Sequence, residues 1–325
     1  MSRNKLNKIV LICPYFGKLP KGQFKLWLKS CEYNSTINWL IFTNDKTKYN
    51  YPKNVKIIYI SFKKFQQLIQ KKFTFRLNIS NPYKLCDFKP TYGYIFYDLI
   101  KEYDYWGYCD ISDTIFGDLR KFLTTKNLTC ADKVMDLGHF TLFKNDIEIN
   151  KRFMKINDKY DVSDILGVEE NKYFDEYPEY GINRIFLDNG YKINIIKNFC
   201  VDISPRTSSF HVNIVDENYN FIDPDNITRI FKWDEGKLYS YKIANDNIVI
   251  NEIGYVHFQK RRMKIKISEN SSSFMIVPNK FIRSPKVVSK GYIKFYSINY
   301  FFNLPLINVY IKRIQNKLKK IINNI

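Results

Sequence analysis

Three apolar runs, each followed by a stretch of helical spacing or a turn, constrain this chain more than any other feature. They are "KIVLICPYFG" (8–17), "INWLIFTND" (37–45) and "VKIIYI" (55–60). Runs this short and this uniformly apolar read as strands buried on both faces. Between the first two, "GQFKLWLKSCEYN" (22–34) sets Phe24, Trp27, Leu28 and Cys31 at helical spacing. After the third, "SFKKFQQLIQKKF" (61–73) reads as a helix with Ser61 as its N-cap. The order β-α-β-β-α implies a largely parallel sheet covered by helices.

The alternation continues. "NPYKLCDFKPTYGYIFYDLIKEYD" (81–104) reads as a helix with Pro90 near its start, feeding the strand "YDYWGYCD". "TIFGDLRKFLT" (114–124) reads as a short helix, "LGHFTLFKND" (137–146) as a strand and "EINKRFMKI" (148–156) as a helix. "GINRIFLDNGYKINII" (181–196) reads as helix, turn and strand. From about residue 199 the pattern becomes β-rich. "NITRIFKWDEGKLYSYKI" (226–243) carries a hairpin signal at Asp234-Glu235-Gly236, and "NIVINEIGYVHFQK" (247–260) reads as one strand. Linker-like composition occurs at "SENSSS" (268–273). The expected fold class is therefore α/β: a mostly parallel central sheet flanked by helices, then a β-rich C-terminal part.

Charge divides the chain in two. Its net charge is +20, but Lys260–Ile325 alone holds 15 Lys and Arg against the single acid Glu269. Within it, "PLINVYIKRIQNKLKKIINNI" (305–325) repeats Ile307, Ile311, Ile314, Leu318, Ile321 and Ile325 at steps of four and three. That stripe among lysines predicts a basic amphipathic helix able to lie on an anionic membrane surface. The alternative is a helix packed on the core or on a partner. Nucleic acid would suit the same charge, but no nucleic-acid motif accompanies it, so no nucleic-acid partner is expected. The expected division is 1–263 for the main domain and 264–325 for a basic extension.

Six scattered cysteines with no CxxC pair exclude a familiar zinc site. The short apolar run at the N-terminus does not make a signal peptide, and no window reaches transmembrane length. The reading is a reduced, cytoplasmic protein, peripheral on the inner face of the membrane.

Chemistry concentrates at "YDYWGYCDISDTIFGD" (103–118), an aromatic strand ending on Asp110, Asp113 and Asp118. Ligands of open α/β sheets bind beyond the carboxyl ends of the strands. Carboxylates grouped there suit a hard divalent cation such as Mg²⁺ or Mn²⁺. A polar turn with aspartate caps is the plainer alternative.

The strand "WGYCD" closing on a DxD-like motif resembles the metal and sugar-nucleotide motif of GT-A glycosyltransferases. Together with "ICPYFGKLP", "LWLKSCEYN", "INWLIFTND", "YKLCDFKPTYGYIF", "WGYCDISDTIFGDLRKF", "LGHFTLFKN" and "YVHFQKR", it resembles one uncharacterised family over roughly residues 8–263. Bacterial members of that family are glycosyltransferase-like proteins of polysaccharide biosynthesis. The resemblance implies a GT-A-like fold and a hexosyltransferase dependent on Mn²⁺ or Mg²⁺, taking a nucleotide sugar (UDP-linked) as donor and a glycan or lipid-linked acceptor.

It also implies roles. Asp110, Asp113 and His257 would hold the metal, His257 being otherwise a core histidine. Tyr15 and Asp45 would meet the nucleotide, and Lys84 and Asp87 lie in the segment resembling the one that closes over it. Lys260, with Arg261 and Arg262, would reach the diphosphate. His139 falls on the acceptor side. If the reaction inverts, Asp175 or Glu176 in "KYFDEYPEY" would be the base. The motif departs from DxD by one residue: in "DISD" either Ser112 or Asp113 stands in the second position, and Asp113 is favoured. The alternative function is a degenerate member that binds a nucleotide sugar or glycan without turnover.

Overall fold

The computed structural model describes residues 6–298 apart from 156–158, 160, 206, 219, 223, 260 and 262, together with Ile311. Its first half follows the apolar runs. The strands are β1 (Ile9–Tyr15), β2 (Ile37–Thr43), β3 (Val55–Tyr59), β4 (Tyr105–Cys109), β5 (Thr114–Phe116), β6 (Lys133–Leu137), β7 (Phe140–Lys144), β8 (Ile193–Asn194) and β9 (Cys200–Asp202). Helix α1 (Lys21–Glu32) joins β1 to β2, and α2 (Phe62–Gln70) follows β3. Seven of these strands form one sheet in the order β3-β2-β1-β4-β7-β6-β8. Every pair in it is parallel except those made by β7, which runs against both β4 and β6.

Successive side chains of a strand point to opposite faces, and β1 is buried on both. Ile9, Leu11 and Cys13 pack with Phe24, Trp27 and Trp39 on one side. Val10 and Ile12 pack with Phe65, Phe96 and Trp106 on the other. This double cover explains why the run shows no polar alternation. The Ser61 side chain accepts from the Lys64 amide and starts α2 as expected.

Residues 81–104 form no single helix. They make two short 3₁₀ turns, Pro82–Cys86 and Lys89–Thr91, then two one-turn helices, Tyr92–Ile95 and Tyr97–Ile100. Pro82 and Pro90 each sit at the opening of a tight turn, where a missing N–H costs nothing. The expected helix over 114–124 shrinks to Leu119–Phe122, because Thr114–Phe116 is a strand. Asp118 is the cap of that helix, accepting from the amides of Arg120 and Lys121. The third carboxylate of the acidic stretch is thus structural.

The β-rich part contributes β10 (Ile214–Val215), β11 (Phe221–Ile222), β12 (Arg229–Asp234), β13 (Lys237–Ala244), β14 (Asn247–Glu252), β15 (Tyr255–His257), β16 (Lys264–Lys266), β17 (Ser273–Val277) and β18 (Lys280–Arg283). Six of them form a sheet in the order β14-β13-β12-β17-β18-β16. The β12–β13 hairpin turns at Glu235 and Gly236, both with positive φ (47° and 83°), as a two-residue hairpin loop requires. Residues 264–283 belong to this sheet, since β17 pairs with β12, so the division expected at residue 263 falls inside it.

The run 247–260 is two strands. At Ile253-Gly254 the chain leaves the six-stranded sheet, and β15 joins β5 and β9 in a separate three-stranded sheet. In that small sheet His257 lies beside Thr114 on one side and Asp202 on the other. Among the described residues no helix is long and apolar enough to cross a membrane. The helix expected at 305–325 lies outside the described residues except for Ile311, and Lys260 and Arg262 lie outside them too.

Candidate active site

The turn after β4 sets the site. Thr114 Oγ1 donates to the Asp110 carbonyl at 2.8 Å, closing a loop of five residues. Ser112 adopts φ 64° in that loop, is buried, and turns its hydroxyl back onto the Ile111 carbonyl at 2.6 Å. Asp113, not Ser112, faces the cleft beyond the strand ends. That cleft has a volume of about 110 Å³, and its polar walls include Lys89, Asp110, Asp113, Glu176 and His257.

His257 comes from the end of β15 and is buried. Its Nδ1 donates to Asp202 Oδ1 at 2.7 Å, and its Nε2 faces Asp110 Oδ2 at 3.6 Å. Asp202, at the end of β9, also accepts from Gln259 Nε2 at 3.0 Å and from Asn213 Nδ2 at 2.6 Å. Burial alone would lower the His257 pKa, but Asp110 and Asp202 on either side raise it to about 10. Burial opposes ionisation of Asp110, whose side chain is 33% exposed, yet Lys89 and His257 hold its carboxyl well below the usual range.

His139, just before β7, stacks on His257 with ring centroids 4.0 Å apart. Its Nδ1 pairs with the Tyr255 hydroxyl at 2.9 Å. Its buried Nε2 has no hydrogen-bond partner and stands 3.7 Å from Asp202 Oδ1. Burial and the neighbouring His257 charge push the His139 pKa down to about 3. His139, Asp202 and His257 bring ligand atoms within 4.8 Å of one another.

Lys89 ties the two halves of the cleft together. Its Nζ donates to Asp110 Oδ1 and to the Gly138 carbonyl, both at 2.8 Å, and lies 3.3 Å from Asp175 Oδ2. Asp175 is buried, and burial is the main reason its pKa is pushed up to about 8; Glu176 and Asp110 add to the rise, and Lys89 opposes it. Glu176 Oε2 accepts from the Gly138 amide at 3.0 Å. A Cβ at Gly138 would lie 2.3 Å from Asp175 Oδ2, so only glycine lets this backbone approach the acid pair.

Lys84 and Asp87 do not face the cleft, which corrects the nucleotide-closing role expected of them. Both are fully buried and paired at 2.7 Å. Lys84 Nζ also donates to the carbonyls of Ile165 and Glu170. The Asp87 carboxylate accepts from the amides of Lys172 and Phe174. Every polar atom of the pair is taken up in fixing the segment that carries Asp175 and Glu176.

Tyr15 and Asp45 lie together at the β1–β2 edge. Asp45 accepts from the Leu19 amide and from Thr47, stapling the two loops there. Burial, then the charges of Asp113 and Asp45, raise the Tyr15 pKa, so this edge adjoins the acidic turn. The structure therefore brings Asp110, Asp113, His139, Asp175, Glu176 and His257 to one cleft with Tyr15 and Asp45 beside it.

Sequence reasoning missed Lys89 and Asp202. Lys89 stood in a quoted motif, "CDFKP", directly before a proline, and a lone lysine among many carries little signal. Asp202 ends a three-residue strand with no pattern around it.

Asp110 and His257 form a pair of donors that would suit a divalent cation. A ligating histidine ordinarily donates its other ring N–H to a carboxylate, which fixes the tautomer and aims the free nitrogen. His257 does this with Asp202, leaving Nε2 opposite an Asp110 oxygen at a separation too long for a hydrogen bond. Two ligands of one cation, each bound at about 2.1 Å, stand apart in this manner.

The sequence matches the family model described as "Family of unknown function (DUF6625)" over residues 11–285. No curated protein matches it. Among solved structures, galactosyltransferase LgtC in complex with donor and acceptor sugar analogs is similar at 10% identity with a TM-score of 0.32, covering 59% of this chain and 75% of that one. A likeness at that level carries no argument about the site.

Proposed function

We propose that this chain, a member of the DUF6625 family, is a metal-dependent glycosyltransferase that moves a sugar from a UDP-linked donor to a glycan or lipid-linked acceptor. The observation that carries the reading is His257, its Nδ1 committed to Asp202 and its Nε2 held 3.6 Å from Asp110 at the carboxyl end of a parallel strand. The sequence resemblance to GT-A enzymes, set out above, supports it independently.

In this reading Asp110, Asp113 and His257 hold Mn²⁺ or Mg²⁺. The bound cation supplies Lewis-acid stabilisation of the departing diphosphate. Tyr15 and Asp45 flank the nucleoside, on the β1–β2 side. Lys89 keeps Asp110 ionised and oriented, and Asp202 fixes the His257 tautomer. Preorganised charge of this kind is where most of the rate enhancement of such a site arises. The basic segment 305–325 holds the enzyme on an anionic cytoplasmic membrane surface, close to lipid-linked acceptors.

A panel of UDP- and GDP-sugars with Mn²⁺ tests the reading. Release of nucleoside diphosphate should require the cation, and Asp110→Ala and His257→Ala should each remove that requirement together with the activity. Full metal-dependent activity in both variants sinks the site assignment. A second reading, a nucleotide-sugar binder without turnover, is favoured by one observation: Lys89 already neutralises Asp110 at 2.8 Å. Calorimetric binding of the nucleotide sugar, unaffected by Mn²⁺ and without turnover, would select it.

A further inference from the structure

The two carboxyls of the "FDEY" turn are not equivalent. Asp175 is buried, wedged against Gly138 and Lys89, and its Oδ1 has no hydrogen-bond partner. Glu176 is only half-buried, gives one oxygen to the Gly138 amide and lines the cleft. Both line the cleft, but Glu176 is the more exposed carboxylate, while Asp175 is buried against Lys89.

Two large rings stand at the same mouth. Tyr83 is 45% exposed and Tyr173 is 42% exposed, and their side chains hydrogen-bond to each other. Neither is loosely placed. Asn81 Oδ1 accepts from the Tyr83 amide at 2.9 Å. Tyr173 sits between Lys172 and Phe174, whose amides are both clamped by the buried Asp87. Tyrosines with exposed faces on a hydrogen-bonded backbone offer an apolar body and a polar tip. A sugar ring, with C–H on its faces and hydroxyls at its rim, has the complementary character.

Strand order gives the cleft a direction. Tyr15 ends β1 and Asp45 lies two residues beyond β2, Asp110 follows β4, and Gly138 lies in the turn between β6 and β7, the next two strands across the sheet. A donor nucleotide on the β1–β2 side leaves the Gly138–Glu176 side for the acceptor.

We propose that Tyr83 and Tyr173 form the platform for a carbohydrate acceptor and that Glu176 is the base that takes the proton of its attacking hydroxyl. This rests on the transfer reading above. In the step, the acceptor O–H gives its proton to the Glu176 carboxylate. The acceptor oxygen bonds to the donor's anomeric carbon as the bond from that carbon to the diphosphate oxygen breaks. The electron pair leaves with the nucleoside diphosphate. One displacement inverts the anomeric centre.

The test uses the full chain with Mn²⁺, a UDP-sugar panel and a panel of aryl glycosides as acceptors, with product configuration read by NMR. The expected product is inverted. Glu176→Gln should lower kcat for transfer about 100-fold or more, with nucleotide affinity by calorimetry within about twofold. Tyr83→Ala and Tyr173→Ala should each raise the acceptor KM about tenfold with a much smaller change in kcat. A retained product, or Glu176→Gln with near wild-type kcat, overturns the base. Unchanged KM in both tyrosine variants overturns the platform.

A separate titration of the protein with oligosaccharides alone, followed by tyrosine fluorescence, distinguishes the two levels. Saccharide binding that Tyr173→Ala abolishes, in a protein that neither binds nor turns over nucleotide sugars, leaves the platform standing and removes the transfer reading. Turnover of nucleotide sugars onto non-carbohydrate acceptors alone does the reverse.

Discussion

His139 and His257 stack ring on ring, 4.0 Å between centroids, and their surroundings push their pKa values apart, down for His139 and up for His257. The difference lies in their partners. His257 has a carboxylate at each nitrogen, Asp202 and Asp110. His139 has a tyrosine hydroxyl at one nitrogen and nothing in hydrogen-bond range at the other. Two stacked imidazolium ions would repel, so the charge settles where the carboxylates are. His139 therefore acts as a neutral floor beneath His257, and Asp202 holds Nδ1 so that Nε2 faces Asp110, where a bound cation would take the place of the Nε2 proton.

Asp202→Asn should accordingly weaken Mn²⁺ binding about 10- to 100-fold, the usual cost of losing a carboxylate behind a ligating histidine. Calorimetric titration with Mn²⁺ measures it, and far-UV circular dichroism checks that the variant is folded. Equal Mn²⁺ affinity in Asp202→Asn and the parent would remove Asp202 from the site.

The Lys84–Asp87 pair should prove costly to break. Both side chains are fully buried, and Asp87 also satisfies two amides. Asp87→Ala strands a buried ammonium and two N–H groups, a change worth about 3–5 kcal/mol. Urea denaturation should show that loss. Hydrogen exchange should accelerate at Lys172 and Phe174 ahead of the central strands. Uniform acceleration across the sheet would mean the pair has no local role in fixing the acid-bearing segment.

The roles of these residues were unequally legible in the sequence. Uninterrupted apolar runs are strong signals, so β1, β2 and β3 were readable, as was the Ser61 cap. The small sheet β5-β15-β9 was not. Its strands are three residues each, and β15 is fused in sequence to β14, from which only Ile253-Gly254 separates it. That sheet is what seats Asp202 beside His257, so Asp202 escaped notice for the same reason. Lys84 and Asp87 illustrate the opposite error. Charged residues near a cleft in sequence suggest ligand contacts, but burial is a property of the folded chain. The exchange of hydrogen bonds between residues 84–87 and 165–174 spans some 80 positions, beyond any local pattern.

Asp175 predicts a pH dependence of stability. Burial, helped by Glu176 and Asp110, pushes its pKa up to about 8, against about 3.9 in an unfolded chain. The folded state therefore holds this proton more tightly than the unfolded state does. The stabilisation is complete below about pH 4 and is lost as pH rises through about 8. Asp175→Asn, which mimics the protonated form, should flatten that component and raise the urea midpoint at pH 8 more than at pH 5. An identical shift at both values would mean that Asp175 titrates as an ordinary carboxylate.

The one-residue departure in "DISD" yields the sharpest contrast. Two carboxylates separated by one residue share a strand face, whereas a spacing of three does not. Here the chain has left the strand, and the left-handed turn at Ser112, φ 64°, absorbs the extra residue. It tucks the serine hydroxyl onto the Ile111 carbonyl and returns Asp113 to the cleft on the same side as Asp110. Asp113→Asn should therefore weaken Mn²⁺ binding about tenfold or more, while Ser112→Ala should leave it within about twofold. Ser112→Gly should go further, keeping the metal affinity and gaining about 1 kcal/mol of stability, because glycine adopts this backbone conformation without strain. If Ser112→Ala costs more Mn²⁺ affinity than Asp113→Asn, the serine has taken the second position of the motif, and the turn must open when the cation binds.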